Sequence, residues 1–191
     1  MINRQLNSTR LALRELSWED LDFIHHLHSQ PEVDEYNTLG IPKDLEETKK
    51  VIKPIIENQK KKGRKIYGWV IMERIGNRNI GMAGMTVTAD RFNMGEIYYK
   101  ILPDSWGKGY GTETSRKLIE FGFEILKLHR IEAGVALENK RSIRVLEKSG
   151  MTCEGVRRKI LPIRGEWKDN YHFAIIEDEY RDRKKIKDQT G

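Results

Sequence analysis

Cysteine, long apolar runs and familiar nucleotide motifs are all scarce in this chain, and each scarcity excludes something. The 191 residues contain one cysteine, Cys153. That rules out an internal disulfide framework and suits a reducing compartment. With no accompanying histidine pattern, Cys153 reads as a small buried apolar residue rather than a nucleophile. No stretch approaches the ~20 apolar residues of a membrane span. The N-terminus lacks the hydrophobic core of a secretion signal, so the expectation is a cytoplasmic protein without membrane association. There is no internal repeat and no linker-like composition. A chain of this length is then most simply one domain with a substantial core. Metal chemistry also lacks support. His25 and His28 share a helix face, but no carboxylate or cysteine completes a cluster at usable spacing. What is abundant is charge, with a net +6 that permits an anionic partner.

Periodicity predicts alternating strands and helices. Leu11 and Leu13 alternate with Arg10, Ala12 and Arg14 as a first strand. Ser17, with Asp20 three residues on, predicts a capped helix from Trp18 to about Ser29, which Pro31 would stop. An irregular polar stretch over 32–43 follows, and then a helix capped by Asp44 and ended near Gly63. Ile66–Glu73 and Ile80–Thr88 read as strands joined at Gly76–Asn79, and Gly95–Leu102 as the next strand. A helix runs to about Lys127, with Lys117, Glu120, Glu124 and Lys127 outward and Leu118, Phe121, Ile125 and Leu128 inward. Ile131–Leu137 is a strand and Asn139–Ser149 a helix ended by Gly150, while Met151–Ile160 and Trp167–Ile176 pair as the last two strands. Tyr67 and Trp69 read as core or pocket lining, as does Phe92. The basic run Arg181–Lys187 reads as a solvated end, with contact to RNA the lesser alternative.

The most telling segment is Trp106-Gly107-Lys108-Gly109-Tyr110-Gly111-Thr112, between a strand and a helix start. Alternate glycines let backbone N–H groups curl around an anion, and the helix start adds its positive end. Such a junction suits a phosphate or diphosphate. The spacing matches neither G-x-x-x-x-G-K-[ST] nor G-x-G-x-x-G, so mononucleotide and dinucleotide readings lose their support.

At these residues the chain resembles the GNAT acetyltransferases, whose acetyl-CoA loop runs Gln/Arg-x-x-Gly-x-Gly/Ala. Trp106 takes the first place, Gly109 the fourth and Gly111 the sixth. A second block, Leu137 to Met151, resembles the family's Asn-x-x-Ser…Gly-Phe helix through Asn139, Ser142 and Gly150. Its form, together with Thr9–Arg14 and Glu96-Ile97-Tyr98-Tyr99, is similar to the branch that acetylates ribosomal-protein N-termini. The resemblance covers roughly residues 8–178 as one domain and leaves 179–191 as a basic tail.

The resemblance implies a single α/β (α+β) domain. Its sheet would be mixed and mostly antiparallel, six- to seven-stranded, flanked by about four helices, with splayed central strands. It implies acetyl-CoA as co-substrate and no metal. The donor would be held by backbone amides of Gly107, Lys108, Gly109, Tyr110, Gly111 and Thr112, by main-chain groups of Ile101 and Leu102, and by Asn139 and Ser142. Asn139 also suits a helix N-cap. Many family members carry a tyrosine later in this helix as proton donor to the thiolate. Leu146 stands there here, which leaves Ser142 as the candidate acid or else a capping serine. Glu96 is the candidate base, with a cross-strand salt bridge as the alternative. Asp34, Glu35, Tyr36 and Tyr98 would meet the acceptor, Tyr98 replacing the branch's usual glycine. The implied acceptor is a protein N-terminal α-amine, possibly ribosomal in the sense of that branch. A small amine such as a polyamine, amino acid or aminoglycoside is the first alternative, and a non-catalytic coenzyme-A- or RNA-binding module is the second. A monomer or a homodimer fits equally.

Overall fold

The computed structural model describes residues 5–88 and 90–190. Eight strands form one sheet: β1 (Leu6–Asn7), β2 (Leu11–Glu15), β3 (Ile66–Glu73), β4 (Asn79–Val87), β5 (Met94–Ile101), β6 (Arg130–Ala136), β7 (Thr152–Ile163) and β8 (Glu166–Ile176). Their spatial order is β1-β2-β3-β4-β5-β6-β8-β7. Six α-helices accompany them among the described residues: α1 (Leu21–His28), α2 (Pro31–Asp34), α3 (Leu45–Asn58), α4 (Tyr110–Glu120), α5 (Lys140–Ser149) and α6 (Glu177–Thr190). This is the expected single mixed α/β domain, with β1 as one strand more than expected and α2 and α6 as two further helices.

Every neighbouring pair is antiparallel except β5 and β6. Those two run parallel and pair only over Met94–Glu96 and Arg130–Glu132. Beyond that point Ile97–Ile101 stays paired with β4 alone, and Ala133–Ala136 with β8 alone. The sheet therefore opens into a wedge between its two central strands. Main-chain groups lining a wedge have no ladder partner on that side, so they are available to a guest.

Period-two alternation places an apolar layer on each face. Leu11, Leu13, Trp69, Ile71, Ile97 and Ile131 pack with α4 and α5 on one face. Val70 and Met82 pack with Ile24, Leu27, Ile52 and Ile55 of α1 and α3 on the other. Trp69 is fully buried, edge-on to Phe121 with ring centroids 5.1 Å apart, and stacked with Tyr67 at 5.9 Å. Both residues are thus core. Phe92 is half exposed.

Local signals account for most boundaries. The Asp20 carboxylate accepts from Ser17 N at 2.8 Å and from the Ser17 hydroxyl at 3.1 Å, the expected cap. Asp44 accepts from Glu47 N at 2.8 Å and starts α3. Four expectations need correction. Pro31 does not merely stop α1; it opens α2 as a first-turn residue, where proline costs no hydrogen bond. Ile125 was expected inward but is 63% exposed, because residues Phe121–Ile125 wind as a π-turn. The wider turn shifts the helical phase, while Leu118, Phe121 and Leu128 stay buried. Cys153 is exposed rather than buried, because β7 is the edge strand and that stretch has no layer above it. The basic end is a helix rather than a frayed tail as far as Thr190: Tyr180 stacks on Phe123 at 4.9 Å and Lys184 pairs with Glu124 at 2.8 Å. No described helix is long and apolar enough to cross a membrane.

Candidate active site

The glycine loop sits at the open end of the wedge. Gly107 and Gly109 have φ of +76° and +82°, a region that favours glycine. Gly109 is the residue from which α4 springs. The N–H groups of Tyr110, Gly111 and Thr112 belong to the first helical turn and have no intrahelical acceptor. Side chains clamp the loop in this shape. Trp106 Nε1 donates to Ile101 O at 2.7 Å, tying the loop to the end of β5. Arg10 donates to Lys108 O at 2.8 Å and pairs with Glu113 at 2.7 Å. The Tyr110 hydroxyl donates to Glu73 Oε1 at 2.6 Å.

A cavity of about 950 Å³ runs from this loop through the wedge to the segment after α1. At the loop end it is lined by Gly107, Gly109, Tyr110, Gly111 and Thr112. The α5 side adds Asn139 and Ser142 and a row of cations, Arg141, Arg144 and Lys148. The Arg141 guanidinium lies 4.5 Å over the Trp106 ring. Helical spacing of three and four puts those cations on one face, and that signal is visible in the sequence although the motif reading passed over it. Amides, a helix start and cations together suit a polyphosphate. A separate hollow of about 570 Å³ on the β7–β8 hairpin, beside Trp167, has no glycine loop or helix start.

Asn139 Oδ1 accepts from Ser142 N at 3.1 Å, so its cap role is real. Asn139 also lines the cavity, which leaves the amide nitrogen of the same side chain for a guest. Two expected donor contacts are differently engaged. Leu102 N already donates to Ile80 O at 2.8 Å, and its side chain packs on the α1–α3 layer. Lys108 is absent from the cavity wall, with its carbonyl held by Arg10. Ile101 lines the cavity, with its carbonyl taken by Trp106.

The far end of the cavity is the acceptor end by position. Glu35 and Tyr36 line it, as do Glu32, Glu138 and Tyr98. Burial, and then a hydrogen bond with Glu35, push the Tyr36 phenol upward. Asp34 does not line the cavity. It is buried, pairs with Arg164 of the β7–β8 turn at 3.5 Å, and accepts from Asn37 at 3.4 Å. It therefore pins α2 to the hairpin and shapes the wall from behind. The Tyr98 ring lies flat over Gly84, where a Cβ would stand 2.3 Å from it. Burial pushes its phenol up to about 12.

Glu96 is exposed on the same face of β5 as Tyr98 and Lys100. Among the described residues it has no ion-pair partner, so the salt-bridge alternative finds no cation. Its register neighbour Glu132 is held by Arg130 at 2.6 Å and faces His172 at 3.4 Å. Gly134 lines the cavity, and a Cβ there would stand 4.0 Å from Glu96 Oε1 and 2.6 Å from Asn170 Nδ2. Glu96 itself does not line the cavity; it stands next to Gly134, which does, and no side chain at 134 separates the two. The histidines of α1 are engaged within the fold. His25 Nδ1 meets Thr48 Oγ1 at 2.8 Å, and burial first, then Lys100, press His28 down to about 3. No cluster of three potential ligands occurs among the described residues.

The model of the acetyltransferase (GNAT) domain matches residues 10–152. The chain belongs to the GNAT acetyltransferases. An N-acetyltransferase of Bacillus licheniformis, p20, is 31% identical over 92% of this chain and 97% of its own length. The spermidine N-acetyltransferase from Vibrio cholerae, in complex with CoA and spermine, superposes with a TM-score of 0.79 at 24% identity over 91% of this chain and 99% of that one. The ribosomal-protein-S5-alanine acetyltransferase from Vibrio fischeri gives 0.78 at 22% identity over 91% and 97%. At such identities these two show the fold alone. The GNAT chain is an acetyltransferase, and enzymes of this family use acetyl-CoA. The built features fit that co-substrate: a left-handed glycine loop, free first-turn amides, a cationic helix face and a cavity that continues through the wedge.

Sequence reasoning did not single out Lys100. It lines the acceptor end and has no ion pair among the described residues. Burial lowers its ammonium to about 8, while Asp34 pulls the other way. A lysine is near 10.5 in an unfolded chain, so between pH 8 and 10.5 the unfolded state holds more protons. Stability then rises with pH across that window, and the buried charge costs stability below it. Lys100→Met should raise Tm by about 3–6 °C at pH 7, with the advantage shrinking towards pH 10. Thermal denaturation at the two pH values checks this; a lower Tm at pH 7 would mean that the ammonium is well paired.

Proposed function

We propose that this enzyme transfers the acetyl group of acetyl-CoA to a protein N-terminal α-amine, of the ribosomal-protein kind, in the cytoplasm. The observation that carries the reading is the continuous cavity. It joins a phosphate-shaped loop at one end to a wall carrying Glu32, Glu35, Glu138 and Lys100 at the other, through the wedge between β5 and β6. The diphosphate would lie on the amides of Gly109 to Thr112, with Arg141, Arg144 and Lys148 facing the remaining phosphate. The pantetheine arm would follow β5, hydrogen-bonded to its unpaired edge, with the Asn139 amide at its side. Glu96 takes the proton from the incoming ammonium, directly or through water, and a β5 main-chain N–H between Tyr99 and Ile101 receives the oxyanion.

Lys100 favours an α-amine over a polyamine. A terminal α-amine carries a carbonyl oxygen beside it, which an ammonium can meet, whereas a second cationic amine would be repelled. Glu32, Glu35 and Glu138 favour a cationic acceptor in general, so they support the small-amine reading equally. A panel of acceptors followed by coenzyme A thiol release separates the two. Peptides with free N-termini should be turned over and their N-acetylated forms should not. Spermidine should be poorer by about 100-fold in kcat/KM, the size set by one repelling charge in a half-buried site. Spermidine matching or exceeding the peptides would hand the assignment to the small-amine reading.

A further inference from the structure

We infer that the Tyr99 hydroxyl is the proton donor to the departing coenzyme A sulfur, taking the place of the helix tyrosine that Leu146 replaces. The inference rests on the donor placement proposed above. Tyr99 lies on the β5 face that packs against α4 and α5, opposite in phase to Glu96 and Tyr98. Its ring fits where Gly111 leaves room: a Cβ on Gly111 would stand 3.4 Å from Tyr99 Cε2 and 3.2 Å from Val145 Cγ2. The ring is thereby wedged between the first turn of α4 and the start of α5, and both Tyr99 and Leu146 line the cavity.

The hydroxyl at the end of that ring is buried and makes no hydrogen bond of ordinary geometry among the described residues. The one side chain that bears on it is Ser142. A buried hydroxyl with nothing better than this contact to Ser142 is poorly satisfied, which is costly, so its retention points to a guest atom that accepts from it. The Tyr98 hydroxyl cannot serve, since its ring is laid over Gly84 on the other side of the strand. Leu146 has no proton to give, and an alcohol such as Ser142 is a weaker acid than a phenol. Burial pushes Tyr99 up to about 12, so it carries its proton throughout the working range. The same dry surroundings disfavour the free thiolate, which raises the need for a donor.

The step balances. When the tetrahedral carbon collapses, the C–S bond breaks with its electron pair on sulfur. Sulfur takes the proton from Tyr99 Oη, giving the coenzyme A thiol, and the amide C–N bond is retained. The tyrosinate recovers a proton from water, directly or relayed through the Ser142 hydroxyl, and the proton released by the amine makes up the balance.

Tyr99→Phe tests this, because the ring and its packing are kept. The variant should hold its Tm and its coenzyme A affinity by calorimetry, while kcat with acetyl-CoA falls about 100-fold, the lower end of the range for one positioned proton donor. With the selenoester analogue of acetyl-CoA, whose leaving group is far more acidic, variant and wild type should turn over alike. An unchanged kcat with acetyl-CoA would overturn the inference. So would an equal loss with both donors, or a loss confined to coenzyme A affinity. Wild-type protein that fails to bind coenzyme A at all would instead overturn the donor placement, and the same calorimetry reports it separately.

Discussion

Gly109→Val should abolish tight coenzyme A binding while leaving the sheet folded. The prediction follows from three properties of one residue. Its φ of +82° lies where a β-branched side chain is a genuine outlier, at a cost of about 1–3 kcal/mol if the loop is to keep its shape. A Cβ there would stand 3.4 Å from Arg10 Nη2, the guanidinium that holds Lys108 O and Glu113. And Gly109 is the residue from which α4 springs, so relaxing φ swings the amides of Tyr110 to Thr112 off their common target. The added side chain would also stand where a diphosphate meets the backbone. Misaligning two or three charge-assisted hydrogen bonds at about 1.5 kcal/mol or more each gives a loss of at least about 100-fold in Kd. Gly109→Ala, strained but not branched, should lose about tenfold. Calorimetry with coenzyme A on folded variants measures both. Wild-type affinity in Gly109→Val would take the loop out of the donor site.

The strands and the loop were legible in the sequence because their signals are local. Leu11 and Leu13 alternate, Ile131, Ala133 and Val135 alternate, and each set lands in the core. The Ser17–Asp20 and Asp44 caps are written within three residues of chain. What stayed hidden depends on register between distant elements. Nothing in β5 or β6 alone says that their pairing ends at Glu96 and Glu132; the wedge could be expected only through resemblance to a family that has one. The π-turn at Phe121–Ile125 keeps an apolar sequence and changes only its phase, so Ile125 looked inward. Asp34 looked like an acceptor contact because the chain does not announce that Arg164, far along it, reaches back. Lys100 and Tyr99 were passed over for a different reason. On an apolar strand next to a motif, a lysine reads as surface and a tyrosine as packing. Only the cavity, and how little meets their polar ends among the described residues, set them apart.

Glu96→Gln is the substitution expected to separate chemistry from binding. Glutamine keeps the shape and the polarity of the side chain but takes no proton. Glu96 is exposed and without an ion pair among the described residues, so stability should change by less than about 0.5 kcal/mol. Coenzyme A affinity should hold, since Glu96 lies on the acceptor face of β5 and not on the face that packs α4 and α5. The loss should fall on kcat, by about 100-fold or more, the usual yield of a positioned base. Glu132, in register beside it, is not a substitute: Arg130 and His172 hold its Oε1, and Arg157 lies 3.9 Å from its Oε2. The pH profile carries the finer test. A protein α-amine loses its own proton near pH 7.7–8.0, so above that range the acceptor arrives as free base and the deficit of the variant should narrow. For a small aliphatic amine of higher pKa the narrowing should begin later, and the crossover therefore also reports on the acceptor. A loss that is small, flat in pH and independent of acceptor would remove Glu96 from proton transfer. Deprotonation would then run through water held by main-chain carbonyls of the open wedge, where β5 and β6 have no ladder partner on their facing edges.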